Sequence, residues 1–182
     1  MTLWLVRHAQ PLIEPGICYG ALDVAADVHA TRQCAHALAA ALPINCLVTA
    51  SPLQRCEQLT LTLQGLRPDL VYKADLRLRE INFGCWEGRH WDDIGAAALD
   101  AWVNDFAQHS PGGGESVQQF MQRVSALWDE TRAVSSLENK VWITHAGVIR
   151  AATLLHQGIR HITHANQWPA ATAAFGEWVV LA

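Results

Sequence analysis

A chain of 182 residues with 51% apolar and 16% charged side chains holds material for one hydrophobic core, which excludes intrinsic disorder and reads residues 1–182 as a single domain. The net charge of −4 comes without any block of like charge, so neither a nucleic-acid surface nor an anionic-membrane surface is expected, and the cations that bind any anion must be local. No apolar run approaches the roughly 20 residues of a membrane span, and the opening MTLWLVRHAQ carries no secretory signal, which makes the cytoplasm the expected location.

Residues 3–6 are an apolar run that reads as a buried strand ending at Arg7-His8. Residues 28–42 are Ala-rich and stop at Pro43, which predicts a helix. Residues 46–49 read as a second strand. The following Ser51-Pro52-Leu53-Gln54 reads as an N-cap, a proline at N1 and a glutamine at N3, opening a helix over 52–63 with Arg55 at N4. Residues 70–73 are a weaker strand. Residues 91–106 look helical without a partner strand and are expected to cover one edge of the sheet. Ser116 and Gln119 make a capping box, and the stripe Val117, Phe120, Met121, Val124, Leu127, Trp128, Thr131 and Val134 predicts a long amphipathic helix. Residues 141–144 form a β-branched and aromatic strand ending at His145-Ala146-Gly147, and residues 177–181 close the chain as the last strand. Strands alternating with helices predict an α/β fold, a three-layer α/β/α sandwich on a mainly parallel sheet. Cysteines at 18, 34, 46, 56 and 85 are odd in number and lack a C-x-x-C pair. They read as small apolar fillers, with no local histidine to activate Cys56 or Cys85.

In a parallel α/β sheet ligands sit outside the carboxyl ends of the strands. Those ends carry Arg7 and His8, then Arg55 in the first turn of a helix, then His145. A long side chain near a helix start leans back toward it, so Arg55 aims at the strand ends. An anion there would meet Arg7, Arg55 and the backbone N–H groups of the helix that begins at Ala146, which describes a pocket for a small dianion such as phosphate. Glu80, between Leu78 and Ile81, supplies a carboxyl group that apolar neighbours would desolvate into a general acid. Two imidazoles, two guanidiniums and one acid suffice for covalent phosphoryl transfer, with one imidazole attacking phosphorus and Glu80 protonating the leaving alkoxide. No metal and no cofactor is required. A zinc hydrolase built from His8, His145 and Glu80 is the distant alternative. His161-x-x-His164 could face one ligand from a helix but has no third partner nearby.

The segments Leu5-Val6-Arg7-His8-Ala9, Ser51-Pro52-Leu53-Gln54-Arg55-Cys56, Leu78-Arg79-Glu80-Ile81-Asn82-Phe83-Gly84-Cys85-Trp86-Glu87-Gly88 and Thr144-His145-Ala146-Gly147-Val148 resemble, in order, the four motifs of the histidine phosphatase superfamily, whose fold is phosphoglycerate mutase-like. The resemblance implies His8 as the phosphorylated nucleophile, Arg7, Arg55 and His145 as the phosphate pocket, and Glu80 as the proton donor. Ala9 stands where the family has glycine, and Glu14 where many members have asparagine. A carboxylate beside a dianion would repel it, so Glu14 is expected to point away or the loop over 11–19 to take another path.

Residues 16–24 and 111–116 resemble the α-ribazole phosphatases, bacterial members that act in cobalamin assembly. The expected substrate is thus a small phosphorylated metabolite such as α-ribazole 5′-phosphate. The chain is shorter than the usual phosphoglycerate mutases and lacks their insertion after the acid motif, which favours hydrolysis over mutase chemistry. A mutase and a non-catalytic phosphate-binding regulator are the alternatives. Tyr19, Trp86 and Trp91 either stack a flat base or pack the cover of the site. Glu87 either joins the active-site shell or caps the following helix. Glu115 and Ser116 mark a helix start and could also touch substrate. Arg79, Arg150 and the remaining histidines read as solvated or structural. Eight tryptophans suit a core as well as an interface between copies, so the oligomeric state is open.

Overall fold

The computed structural model describes residues 2–133 and 139–182. Five strands, β1 (Leu3–Arg7), β2 (Leu47–Ala50), β3 (Val71–Ala74), β4 (Lys140–Thr144) and β5 (Trp178–Leu181), form one sheet in the order β3-β2-β4-β1-β5. The first four are parallel, and β5 runs antiparallel to β1 on the edge. Register places Arg7 beside Thr144 and Ala50 beside Ile143, so β1, β4 and β2 end level with one another.

Side chains alternate along each strand, and the two faces gather separate cores. Leu3, Leu5 and Trp142 face α5 (Val117–Ala133) and α6 (Ala146–His156), while Val6, Val141 and Ile143 face α1 (Val28–Ala41) and α2 (Gln54–Leu66). The architecture is the three-layer α/β/α sandwich that the strand and helix alternation predicted. In α1, Asp27 accepts the N–H of Ala30 at 2.7 Å, and Thr31, Cys34, Ala35 and Leu38 form its buried face. In α5 the Ser116–Gln119 capping box is closed in both directions. The stripe from Val117 to Trp128 is buried and Thr131 half-buried, while Val134 lies outside the described residues. Truncating a stripe residue such as Phe120 to alanine would cost about 3–5 kcal/mol.

Local reading and structure differ in three places. The second helix begins at Gln54, with Leu53 as its cap, so Arg55 sits at N2 rather than N4. The Ser51 hydroxyl accepts the N–H of Leu53, the residue before the helix, at 3.4 Å, and lies 2.8 Å from His145 Nε2. Residues 91–106 split at Gly95, whose φ is +90°, into α3 (Trp91–Ile94) and α4 (Ala96–Asn104). These helices pack around Trp86 and Cys18 as a small third core rather than along a sheet edge. Finally, Cys18, Cys34, Cys46 and Cys56 are buried as expected, but Cys85 is exposed.

The short turns at Gly84–Trp86 and Pro111–Gly113 meet backbone to backbone. A Cβ on Gly84 or on Gly112 would lie 2.2 Å from a carbonyl oxygen of the facing segment. Gly112 and Gly114 therefore serve close approach, while Gly113, with φ +72°, serves the turn itself.

Candidate active site

The ladders continue past the strand ends and bring three sequence segments together. The N–H of His8 donates to Thr144 O at 3.1 Å, and that of Ser51 donates to Ile143 O at 2.9 Å. Side chains from 8, 51, 55 and 145 therefore share one rigid floor. Above it lies a cavity of about 390 Å³ whose wall includes Arg7, His8, Tyr19, Arg55, Glu80, His145 and Ala146.

His8 is buried, and its Nδ1 lies 2.7 Å from Ala9 O. A carbonyl only accepts, so Nδ1 carries the proton and Nε2 the lone pair. Burial, with help from Arg55 and Arg7, pulls its pKa down to about 3 against the opposing contact with Ala9. The ring is neutral at physiological pH, the form a nucleophile needs. Its centroid lies 5.1 Å from that of His145 and 5.5 Å from that of Phe175.

His145 is fully buried, and burial followed by the positive field of Arg55 holds its pKa well below the usual value. Arg55 Nε donates to its Nδ1 at 3.2 Å, which leaves Nε2–H to donate to Ser51 Oγ at 2.8 Å. Both ring nitrogens thus have protein partners, and the ring is not the cation expected of the phosphate pocket. In this arrangement it orients Arg55.

Arg55 has no exposed surface, yet its partners are all neutral: His145, Leu22 O at 2.8 Å and Gly20 O at 2.6 Å. Arg7 donates to Ala173 O at 3.0 Å and lies 3.8 Å over the Phe175 ring, and its buried Nε has no acceptor among the described residues. Burial lowers its pKa, with Tyr19 and Glu80 opposing. Neither guanidinium has a carboxylate within ion-pair reach among the described residues. Buried unpaired cations are costly, and an anion in the cavity would relieve both.

Glu80 is half-buried, and backbone N–H groups hold both of its carboxylate oxygens. Its Oε1 accepts the N–H of Ile81 at 3.0 Å and its Oε2 that of Gly147 at 2.9 Å, the latter in the first turn of α6. A Cβ at 147 would fall 2.2 Å from Oε1, so only glycine admits the carboxylate there. The segment carrying Glu80 is clamped from behind. Arg123 donates to Arg77 O, Arg79 O and Glu80 O while pairing with Glu115 at 2.6 Å.

Other expectations divide. Tyr19 is half-buried, with its ring 5.4 Å under Arg55, and burial pushes its phenol up so that it stays neutral. Trp91 lines the cavity. Trp86 does not: it is 5% exposed and packed edge-on against Trp91 and Trp102, so it belongs to the cover. Glu87 does not reach the cavity either. Its carboxylate accepts the N–H groups of Gly20, Ala21, Leu22 and Phe83, filling its acceptor sites with backbone donors. Glu14 is exposed and off the cavity wall. His161 and His164 are exposed and lie outside any helix. Among the described residues no three His, Cys, Asp or Glu side chains gather in a metal-binding group.

Sequence reasoning missed four participants. Arg150, expected to be solvated, lines the cavity and is held by Pro169 O at 2.8 Å. Its position four residues after Ala146, on the same helix face, was the available signal. Ser51, Phe175 and Arg123 act through long-range contacts that no local pattern announces. Cys56 does lie near an imidazole, 3.5 Å from His145 Nε2, but burial pushes its thiol far up and keeps it inert.

Known proteins resemble this chain in sequence and fold. The chain is 31% identical over 166 residues to a protein of Hydrogenobacter thermophilus named as a phosphoserine phosphatase, covering 86% of this chain and 79% of that one. It is 29% identical over 168 residues to the adenosylcobalamin/alpha-ribazole phosphatase of Salmonella typhimurium, covering 82% and 76%. A mycobacterial glucosyl-3-phosphoglycerate phosphatase solved with inorganic phosphate superposes with a TM-score of 0.81 at 26% identity, covering 100% and 89%. The description "Histidine phosphatase superfamily (branch 1)" matches residues 3–176, and with it the chain belongs to that superfamily and is a phosphatase.

Proposed function

We propose that the protein is a metal-independent phosphomonoesterase that works through a phosphohistidine at His8 on a small phosphorylated metabolite, with α-ribazole 5′-phosphate as the favoured substrate. The observation that carries the reading is His8 itself: Nδ1 is tied to Ala9 O, leaving Nε2 as a neutral nucleophile beside two arginines without a carboxylate partner among the described residues.

In the first step Nε2 attacks phosphorus and the P–O bond to the alcohol breaks. Arg7, Arg55 and the backbone N–H at Ala146 hold the non-bridging oxygens as charge shifts onto them. Glu80 acts as the general acid and supplies the proton to the leaving oxygen. In the second step Glu80 takes a proton from water, the water oxygen bonds to phosphorus, the N–P bond breaks, and phosphate leaves with His8 regenerated. The α-ribazole assignment is supported by the Salmonella relative and by the aromatic cover.

The test is phosphate release in excess EDTA from an aryl phosphate and from α-ribazole 5′-phosphate, wild type beside His8→Ala. The expected result is activity that survives chelation and falls at least roughly 10⁴-fold in the variant. Activity that vanishes with EDTA and returns with zinc or manganese would overturn the mechanism.

A further inference from the structure

A second chamber adjoins the phosphate cavity, and its walls are of a different kind. It encloses about 180 Å³ and shares Tyr19, Glu80, Phe83 and Arg150 with the larger space. It therefore opens on the side of Glu80, where the alcohol half of a phosphomonoester must lie if Glu80 is to protonate the leaving oxygen. Beyond that shared boundary its lining is apolar, from Trp102, Phe106, Val117, Phe120 and Trp168. Among the described residues no charged side chain other than Glu80 and Arg150 reaches it. Trp102 and Phe106 are stacked with centroids 5.5 Å apart, and Trp168 meets Phe106 edge-on at 6.3 Å. The buried indole N–H of Trp102 has no acceptor among the described residues.

We propose that this chamber receives an uncharged aromatic ring carried by the alcohol half of the substrate, which makes the enzyme selective for phosphate esters of ring-bearing alcohols. The inference rests on the phosphomonoesterase reading and assigns a place in the site to the alcohol half of its substrate. Size fits one ring, because an apolar cavity of about 150 Å³ holds benzene. Chemistry fits as well: an inserted ring meets faces and edges at the separations aromatic pairs prefer, whereas an ammonium or carboxylate would lose its hydration against walls that offer no counter-charge. Arg150 and Glu80 stand at the mouth, so the polar linkage between ring and phosphate stays at the boundary while only the ring crosses it.

The experiment compares kcat/KM for 2-phenylethyl phosphate and ethyl phosphate, whose leaving oxygens are similarly basic. The expected preference for the ring-bearing ester is roughly 10- to 100-fold. Val117→Phe, which fills the chamber from the start of α5, should bring the ratio toward one. Val117→Ala, which enlarges it, should move the preference toward a naphthyl-bearing ester. A wild-type ratio of about one overturns the proposal, and so does a ratio that survives Val117→Phe. Calorimetric binding of 2-phenylethylphosphonate against ethylphosphonate gives the same comparison without turnover, and equal Kd values overturn the proposal too. A phosphonate preference in a protein that hydrolyses neither ester would uphold the chamber and sink the phosphomonoesterase reading.

Discussion

Two regions meet at the cavity and are held by different forces. The floor consists of three strand ends joined by backbone ladders, on which His8, His145, Arg55 and Ser51 are buried, with His145 bonded to Arg55 and Ser51 and His8 held by Ala9 O. The cover is a cluster of rings around Cys18, Trp86 and Ile94, and the loop beneath it is fastened by one carboxylate, Glu87. Polar groups in the floor have directional partners and little freedom, which suits chemistry that must hold a charge in one place. The cover relies on apolar contacts that tolerate exchange of one ring for another, which suits variation in the alcohol accepted. Proteins similar to this chain carry the names of three different phosphatases.

The contrast can be broken at defined points. After His8 itself, the largest effect is expected at Glu80. Glu80→Gln should lower kcat by roughly 10²–10⁴ on alkyl esters, and far less on aryl phosphates, whose leaving groups need no proton. Steady-state kinetics on the two ester classes checks it, and equal losses would remove Glu80 from the acid role. Arg55→Ala should lower kcat/KM by roughly 10²–10³. Lysine should not rescue it, because three separate N–H directions are in use.

A third effect sharpens the floor through pH. His8 has a folded pKa of about 3 against about 6.5 unfolded, so between these values the unfolded chain binds more protons. Stability from this group is therefore full above pH 6.5 and falls as the pH is lowered toward 3. Between pH 7.5 and 5 the loss from His8 is about 2 kcal/mol, and buried His145 acts in the same direction. Urea midpoints at the two pH values should show that difference shrinking in a His8→Gln variant; an unchanged difference would contradict the burial argument. The smallest effect lies in the cover. Glu87→Gln keeps the shape but weakens acceptors for four backbone N–H groups. It should cost about 1–2 kcal/mol of stability and raise KM with kcat nearly unchanged.

Much of the site was legible locally because catalytic side chains in this fold follow strands, and strands end at recognisable punctuation. Arg7, His8 and His145 directly follow apolar runs, and Arg55 opens a helix after Ser51-Pro52. The errors came where a side chain had two possible partners. Ser51 reads as a cap from its neighbours alone, and in the fold it serves Leu53 N–H beside it and also His145, 94 positions away. Glu87 was ambiguous for the same reason: its four donors come from residues 20–22 and from Phe83, which only the folded loop brings together.

By itself the amino-acid sequence determined the alternation of strands and helices, the stripe of α5 with its capping box, and the residue types that can hold and attack a phosphate. These follow from periodicity, capping and functional-group chemistry, which act over a few residues. The tertiary structure decided the strand order that sets β1 beside β4, the neutral state of His145, the placing of Arg150 at the cavity and of Phe175 against His8 and Arg7, and the apolar chamber behind Glu80. Each depends on contacts between residues far apart in the chain and on the burial those contacts create, and neither is written into any short stretch of residues.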